Sequence, residues 1–280
     1  MEKLLIIDGS NLLFQMFFGM PSRIVNAEGK AIQGTLGFVG ALLKILRRVQ
    51  PTHFLIIFDG QHENIRSEID TDYKANRIDF SEVDEKENPY SQLPDVYKAL
   101  EYLGVKYLET TTCESDDVIA GYALEYGNDH EIVISSLDSD FFQLVSENVS
   151  VLRYRGEKTI VCTPAYIREK FNISPSQYVD FKSLVGDTAD NIKGVNKVGP
   201  KTAAMLLEEY GTLQSILENV DKITRPSIKD SISTNAERVK TNYKLIKLKR
   251  MKKLPFALCE LEFEDQGILT NDVLKGIGLK

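Results

Sequence analysis

The stretch Ser183-Leu184-Val185-Gly186-Asp187-Thr188-Ala189-Asp190-Asn191-Ile192-Lys193-Gly194-Val195-Asn196-Lys197-Val198-Gly199-Pro200-Lys201-Thr202-Ala203 decides how the rest of the chain reads. Asp187 and Asp190 lie three residues apart, so a helical turn here would set both on one face and concentrate negative charge that cations must balance. Gly194 and Gly199 bound a tight hairpin. Pro200 suits the first position of a helix, whose opening N–H groups, with the hairpin backbone, can hold a phosphate. A cation site beside a phosphate site points to metal-dependent chemistry on a nucleic acid.

A chain of 280 residues can bury one large core, or a core with a smaller lobe. No apolar run reaches the length of a membrane span, and the early one, Leu4 to Ile7, stops at Asp8. Nor does the start have the basic, apolar and small-residue pattern of a signal peptide, so a cytoplasmic protein with no membrane partner is expected. Cys113, Cys162 and Cys259 form no CxxC pair, and His53, His62 and His130 are scattered. Disulfide frameworks and structural zinc are therefore disfavoured, and any metal should be a hard ion held by oxygen. The net charge of −7 hides an asymmetry: residues 191 to 256 contain 14 Lys/Arg against 6 Asp/Glu. A basic lobe beside an acidic one suits a protein that grips phosphates with one part and metals with the other.

Outward from that stretch, Lys3 to Ile7 and His53 to Phe58 read as buried parallel strands, ending in Asp8-Gly9 and Asp59-Gly60. Ligands of open α/β sheets bind at this carboxyl edge. Glu131 to Ser136 is a third such strand, followed by Asp138 and Asp140, and Glu114, Asp116 and Asp117 open a helix. Any one of these acids could be an ordinary helix cap or dipole partner. Ser150 to Tyr154 and Lys158 to Cys162 form a hairpin; everything after Thr163 reads as helical. Arg66, Tyr73, Lys74 and Arg77 make a cationic and aromatic segment able to touch phosphate and base, or else a solvated helix face. The acidic residues 78 to 91, with Asp79, Glu82, Asp84, Glu85 and Glu87, read as a mobile loop. From Lys240 to Lys253 there are seven Lys/Arg and no acids, a phosphate track or a solvated face.

Together the candidates are nine carboxylates from five separated segments: Asp8, Asp59, Glu114, Asp116, Asp117, Asp138, Asp140, Asp187 and Asp190. Unneutralised, they would repel one another by on the order of several kcal/mol. Divalent ions remove that cost, and two of them about 4 Å apart clamp the attacking and departing oxygens of a phosphodiester. A metal also acidifies bound water, so no His or Ser nucleophile is required.

This order of motifs resembles the 5′-nuclease superfamily, the flap endonucleases and the 5′-3′ exonuclease domain of bacterial DNA polymerase I. The resemblance rests on Ile7-Asp8-Gly9-Ser10, Phe58-Asp59-Gly60, Tyr73-Lys74-Ala75-Asn76-Arg77, Glu114-Ser115-Asp116-Asp117, Ser136-Leu137-Asp138-Ser139-Asp140, and Gly186-Asp187-Thr188-Ala189-Asp190-Asn191-Ile192 with the hairpin after it. It implies an α/β, PIN-like core with a mostly parallel sheet over residues 1–172, containing a helical arch at about 66–100. A C-terminal helical domain over 173–280, with a helix-hairpin-helix at about 183–218, would follow.

The implied chemistry is two-metal phosphodiester hydrolysis with Mg2+, or Mn2+ in its place. Asp8, Asp59, Glu114 and Asp116 would hold one ion, and Asp116, Asp138, Asp140 and Asp190 the second, with Asp117 and Asp187 accessory. Lys74 and Arg77 would act on the scissile phosphate beside Asp116, with Arg66 and Tyr73 also on DNA. Lys197, Gly199, Lys201 and Thr202 would grip duplex phosphates around a K+ ion. The implied partner is DNA with 5′ flaps, nicks or 5′ ends, or an RNA primer–DNA hybrid, bound by a monomer in primer removal and repair. Gln15 stands where many relatives have arginine, and the interval after Arg77 is longer and more acidic than in polymerase-linked relatives. The chain ends at Lys280 with no polymerase domain, so a free-standing enzyme is expected. The rivals are a PIN-type ribonuclease and a non-catalytic branched-DNA-binding protein.

Overall fold

The computed structural model describes residues 2–60, 65–80, 83–251 and 253–280; Met1, His62, Glu82 and Lys252 of the sequence reading lie outside them. Strands β1 (Lys3–Asp8), β2 (His53–Phe58), β3 (Tyr107–Glu109), β4 (Glu131–Ser135), β5 (Val149–Arg153) and β6 (Ile160–Cys162) form one sheet in the order β3-β2-β1-β4-β5-β6. Only β6 runs antiparallel, closing the expected hairpin with β5. The central strands are apolar between their end residues because helices cover both faces. Leu5, Ile7, Phe54 and Ile56 pack with α1 (Gly9–Gly19), α2 (Gln33–Val49) and α3 (Leu93–Tyr102). Leu4, Ile6, Leu55 and Ile57 pack with α4 (Ser115–Tyr126) in a core that continues through α5 (Pro164–Phe171), α6 (Tyr178–Val185) and α7 (Pro200–Tyr210). Each such burial contributes about 2 kcal/mol, so the sheet is a rigid base for whatever its edge presents.

That edge is the carboxyl one. Asp8 lies opposite Ile57, and Ile7 opposite Ser135, so Asp8, Asp59 and Ser136 come out of three adjacent strands together.

Three expectations are corrected. The chain after Thr163 is not wholly helical: β7 (Gly186–Asp187) pairs antiparallel with β8 (Ile192–Lys193), so Asp187 and Asp190 sit on a small hairpin instead of one helical face. The cause is a close backbone crossing. Gly186 ends α6 at φ +85°, and a Cβ on Gly194 would lie 2.0 Å from the Val185 carbonyl oxygen.

The expected helical arch at about 66–100 is α-helical only at its end, where α3 begins at Leu93. Among the described residues between 65 and 92 there are 3-10 turns at Ile65–Glu68 and Pro89–Gln92 and no α-helix. Asp70, Asp84 and Asn88 each accept the N–H two residues on, at 2.9, 2.8 and 2.9 Å, and such local bonds compete with helix formation. Nor is the acidic stretch detached: Phe80 and Tyr90, near its two ends, both pack edge-on against Phe14 of α1.

Finally, residues 173–280 are not one lobe. Beyond α8 (Leu213–Glu218), α9 (Pro226–Thr234) and α10 (Ala236–Ile246), the chain returns to the sheet domain, where α11 (Thr270–Gly276) rests on α2 and α3. Its Val273 joins the β1–β2 core and Phe263 packs on Phe54, because apolar side chains at this spacing need cover that the small lobe cannot offer.

The Gly186–Gly194 crossing yields a test. Gly194→Ala should lower the unfolding free energy by about 2 kcal/mol or more, since backbone atoms must move to admit the methyl; urea denaturation in chelator measures it, and an unchanged midpoint would rule out the crossing.

Candidate active site

Asp8 ends β1 and caps α1, its Oδ1 accepting the Asn11 N–H at 3.0 Å and its Oδ2 the Ser136 hydroxyl at 2.8 Å. Asp59, one strand over, accepts the Ser115 N–H at 2.8 Å and so caps α4 from outside that helix. This aims the first turn of α4, with Asp116, at the same edge. Asp138 accepts the Asp140 N–H at 2.8 Å, folding the chain after β4 back toward them. Asp8, Asp59, Asp116 and Asp138 line a cavity of about 470 Å3. Its other wall is apolar and aromatic: Phe14, Phe18, Ile78, Phe80 and Tyr90, with Phe18 and Ile78 exposed.

The four acids repel one another. Burial first, then the charge of Asp59, pushes the Asp8 carboxyl up to about 7, against the Asn11 and Ser136 hydrogen bonds that pull it down. Asp116 is raised well above its ordinary value by burial, then by Asp138, Asp59 and Asp8.

The other five expected ligands have cations on them. Buried Arg66 pairs with Glu114 and Asp117, Lys74 Nζ lies 2.6 Å from Glu114, and Arg77 lies 2.9 Å from Asp190. Lys182, in the last turn of α6, bridges Asp140 and Asp187. Burial works against its ammonium, but Asp140, Asp138 and Asp187 outweigh that and hold its pKa well above the ordinary lysine value.

The segment bearing Lys74 is docked as well as charged. Lys74 N–H donates to the Asp190 carbonyl at 3.0 Å, and the Asn191 amide to the Asp72 carbonyl at 2.8 Å. Two sequence expectations change here. Arg66 and Tyr73 are buried, Arg66 beneath its acidic partners and Tyr73 in a cluster with Val179, Ile192 and Leu245. Neither presents its side chain to a DNA surface as expected. Gln15 donates to the Tyr154 carbonyl at 2.7 Å and joins α1 to the β5–β6 hairpin.

At the other end of the short stretch, Val198 N–H closes a turn on the Val195 carbonyl at 3.1 Å, with Lys197 at φ +65°. No side chain caps α7, and its first turn has no acid. Open space surrounds the Gly199 Cα, and Lys193, Lys197 and Lys201 are exposed around it. An uncapped helix start beside exposed lysines is an electropositive corner of the surface.

Among the described residues, no three Asp, Glu, His or Cys side chains form a ready cage for an ion. The donor set nonetheless fits a hard ion that keeps part of its water. The facing acids are all oxygen donors, and the upward shifts of Asp8 and Asp116, from burial first and mutual repulsion second, reflect charge that a cation would stabilise. Sequence reading missed Lys182 and the hydrogen bonds that Asn11 and Ser136 each donate to Asp8. Lys182 stands five residues before Asp187, where a last-turn lysine reads as a dipole partner.

An acidic pocket at the carboxyl edge of a parallel sheet, faced by a cationic segment and flanked by a lysine-rimmed turn, is the architecture of a metal-dependent nuclease. The family model of the 5′-3′ exonuclease N-terminal resolvase-like domain matches residues 3–172, and that of the C-terminal SAM fold matches 173–267. The chain belongs to the 5′-3′ exonuclease family. It is 32% identical over 250 residues to the 5′-3′ exonuclease of Aquifex aeolicus, covering 89% of this chain and 82% of that one. DNA polymerase I of Streptococcus pneumoniae is 34% identical over 246 residues, covering 84% of this chain but only 27% of that protein. The chain thus spans about a quarter of the polymerase relatives. The bacteriophage T5 flap endonuclease, solved with DNA and metal ions, shares the fold at a TM-score of 0.71 and 20% identity, over 99% of both chains.

A pH experiment tests the repulsion. Folded Asp8 keeps a proton that the unfolded chain gives up near 3.8, so its contribution to stability is present at low pH and lost as pH rises through about 7. In chelator, the melting temperature should fall across this window. Asp8→Asn should flatten the fall, and excess Mg2+ should do the same; a slope untouched by either would dismiss the cluster as its source.

Proposed function

We propose that the chain is a structure-specific 5′ nuclease, a 5′-3′ exonuclease and flap endonuclease, acting in the cytoplasm on DNA flaps, nicks and 5′ ends, RNA-primed ends included, in primer removal and repair. The observation that carries this reading is the cavity itself, with four repelling aspartates on one wall, aromatic rings on the other, and Lys74 and Arg77 at its rim. Carboxylates with cations suit a phosphate, and rings suit a base. No helix among the described residues is long and apolar enough to cross a membrane.

Asp8, Asp59, Glu114 and Asp116 would hold one Mg2+ ion, and Asp116, Asp138, Asp140 and Asp190 a second, with Asp117 and Asp187 supporting; Mn2+ would substitute. Bound there, such ions supply Lewis-acid stabilisation of the attacking and leaving oxygens and lower the pKa of water. The protein's own groups do the rest. Lys74 and Arg77, paired here with Glu114 and Asp190, would stabilise the scissile phosphate. Phe14, Phe80 and Tyr90 would take the terminal base. Gly199, Lys201, Thr202 and Lys197 would fix duplex phosphates, with K+ at the hairpin carbonyls. Phosphate contacts position without reading sequence, so the shape of the junction selects the substrate.

Labelled flap, nicked and blunt duplexes and single-stranded RNA, incubated with Mg2+ or chelator, test the reading. Mg2+-dependent release from flaps and nicks is expected; preferential cutting of the RNA would favour a PIN-type ribonuclease instead. Asp116→Asn should slow flap cleavage by roughly a hundredfold or more while binding in chelator holds. Equal loss of both would make Asp116 a structural residue. Lys201→Ala should weaken binding to all sequences and reduce the salt slope by about one, whereas an unchanged slope would remove the hairpin from the phosphate contacts.

A further inference from the structure

One short piece of chain touches every segment that would supply the second ion. Asn242, buried in α10, donates both amide hydrogens, to the Ser183 and Lys193 carbonyls, each at 2.9 Å. Those carbonyls are the two feet of the hairpin that bears Asp187 and Asp190: Ser183 lies in the last turn of α6, and Lys193 ends β8. Ser183 would otherwise face the interior with a helix-end acceptor unmet. One turn further along α10, Gln143 meets its end. Its Nε2 donates to the Ile246 carbonyl at 3.1 Å and to the Asp140 carbonyl at 2.9 Å, and its Oε1 accepts the Leu248 N–H at 3.0 Å. The 3-10 turn that follows Asp138 is thereby pinned to the same helix. Directly afterwards, the Lys249 N–H donates to Asp117 on α4 at 2.8 Å.

Three carboxylate-bearing segments far apart in sequence are therefore referenced to residues 242–249 by hydrogen bonds rather than by apolar contact alone. Apolar packing tolerates sliding by fractions of an ångström. A two-pronged amide between fixed carbonyls does not, because hydrogen bonds weaken steeply with distance and angle. Nothing else described spans both the 186–193 hairpin and the 140–144 turn with side-chain hydrogen bonds except Lys182, whose flexible ammonium attracts the carboxylates without fixing their backbones.

Resting on the ion assignment above, we propose that Asn242 and Gln143 are positioning residues: they set the spacing between the Asp138–Asp140 turn and the Asp187–Asp190 hairpin at which the second divalent ion fits. They touch neither ion nor DNA. Their removal should open the second site selectively, because the first site is built on β1, β2 and the first turn of α4, which α10 does not hold through these amides.

Binding of Mn2+ to the whole protein, followed by electron paramagnetic resonance and titration calorimetry, tests this. Wild type should take two ions of different affinity. Asn242→Leu, which keeps the bulk but loses both donors, should weaken one ion by about tenfold, the loss expected for stranding buried acceptors, and leave the other within the scatter of wild type. Gln143→Leu should do the same and decides the matter should Asn242→Leu fail to fold. Turnover on a flap should recover in both as Mn2+ is raised, with KM for DNA unchanged. Val239→Ala, a cavity in the same helix with no amide lost, should destabilise the fold yet leave both ions as they were. Wild type binding no Mn2+ would overturn the ion assignment and this proposal with it. Two ions in wild type with unchanged affinities in the leucine variants would overturn the proposal alone, as would equal weakening of both ions, or the same selective loss in Val239→Ala.

Discussion

Repulsion among carboxylates at one sheet edge is the constraint around which the rest of this molecule is arranged. Three adjacent strands and one helix deliver Asp8, Asp59, Asp116 and Asp138 to a common cavity, and none of the four has a salt-bridge partner among the described residues. Five further acids surround them, and these the chain neutralises itself with Arg66, Lys74, Arg77 and Lys182. The division is informative. Buried ion pairs gain little net stability because desolvation offsets their attraction, so paired carboxylates at this density are a poor stability device. They make sense where the cationic partners are exchangeable.

Exchange is possible for some partners and not for others, and burial separates them. Arg66 is enclosed, with two carboxylates on its guanidinium, and is a fixed counter-charge. Arg77 has half of its side chain in solvent, and Lys74 sits beside it on a segment fixed by backbone bonds to the Asp190 turn. Rotation of Arg77 toward a phosphate would uncover Asp190 without moving the main chain, whereas rotation of Lys74 would leave Glu114 still paired with Arg66. Lys74 and Arg77 thus serve as counter-charges in the protein itself, and on the proposed reading the same two would turn to a phosphate.

Much of this was legible in sequence because it depends on strand ends. An apolar run that stops at Asp-Gly, as at Asp8 and Asp59, marks a buried strand and names the residue at its carboxyl edge at once. A tight turn between Gly194 and Gly199 was equally legible, since glycine and proline constrain the backbone directly. What sequence reading missed came from competition between local and distant forces. Helical spacing suggested a shared face for Asp187 and Asp190, but the Gly186–Gly194 crossing imposed a two-residue ladder. Charge and an aromatic ring suggested that Arg66 and Tyr73 were surface contacts; the folded acids drew Arg66 inward and an apolar cluster took Tyr73. Asn242 and Gln143 left no signal, because an amide's partners are main-chain atoms whose identity no side-chain pattern encodes.

The opening stretch then has a mechanical meaning. Asp187 lies on a two-residue ladder and Asp190 on the turn that joins its strands; the ladder's last residue, Lys193, leads directly into the turn that ends at the uncapped helix α7. Between the two there is a glycine crossing too tight for a side chain and an amide that joins both feet of the ladder. Such a connection has almost no freedom to lengthen. Whatever α7 grips is therefore held at a nearly constant distance from the acidic edge. On the proposed reading, a duplex phosphate fixed there would place the backbone further along the same strand at the cavity, and selectivity for a junction would follow from that fixed span, because only a strand that leaves the duplex at the right point would reach the carboxylates, whatever its bases.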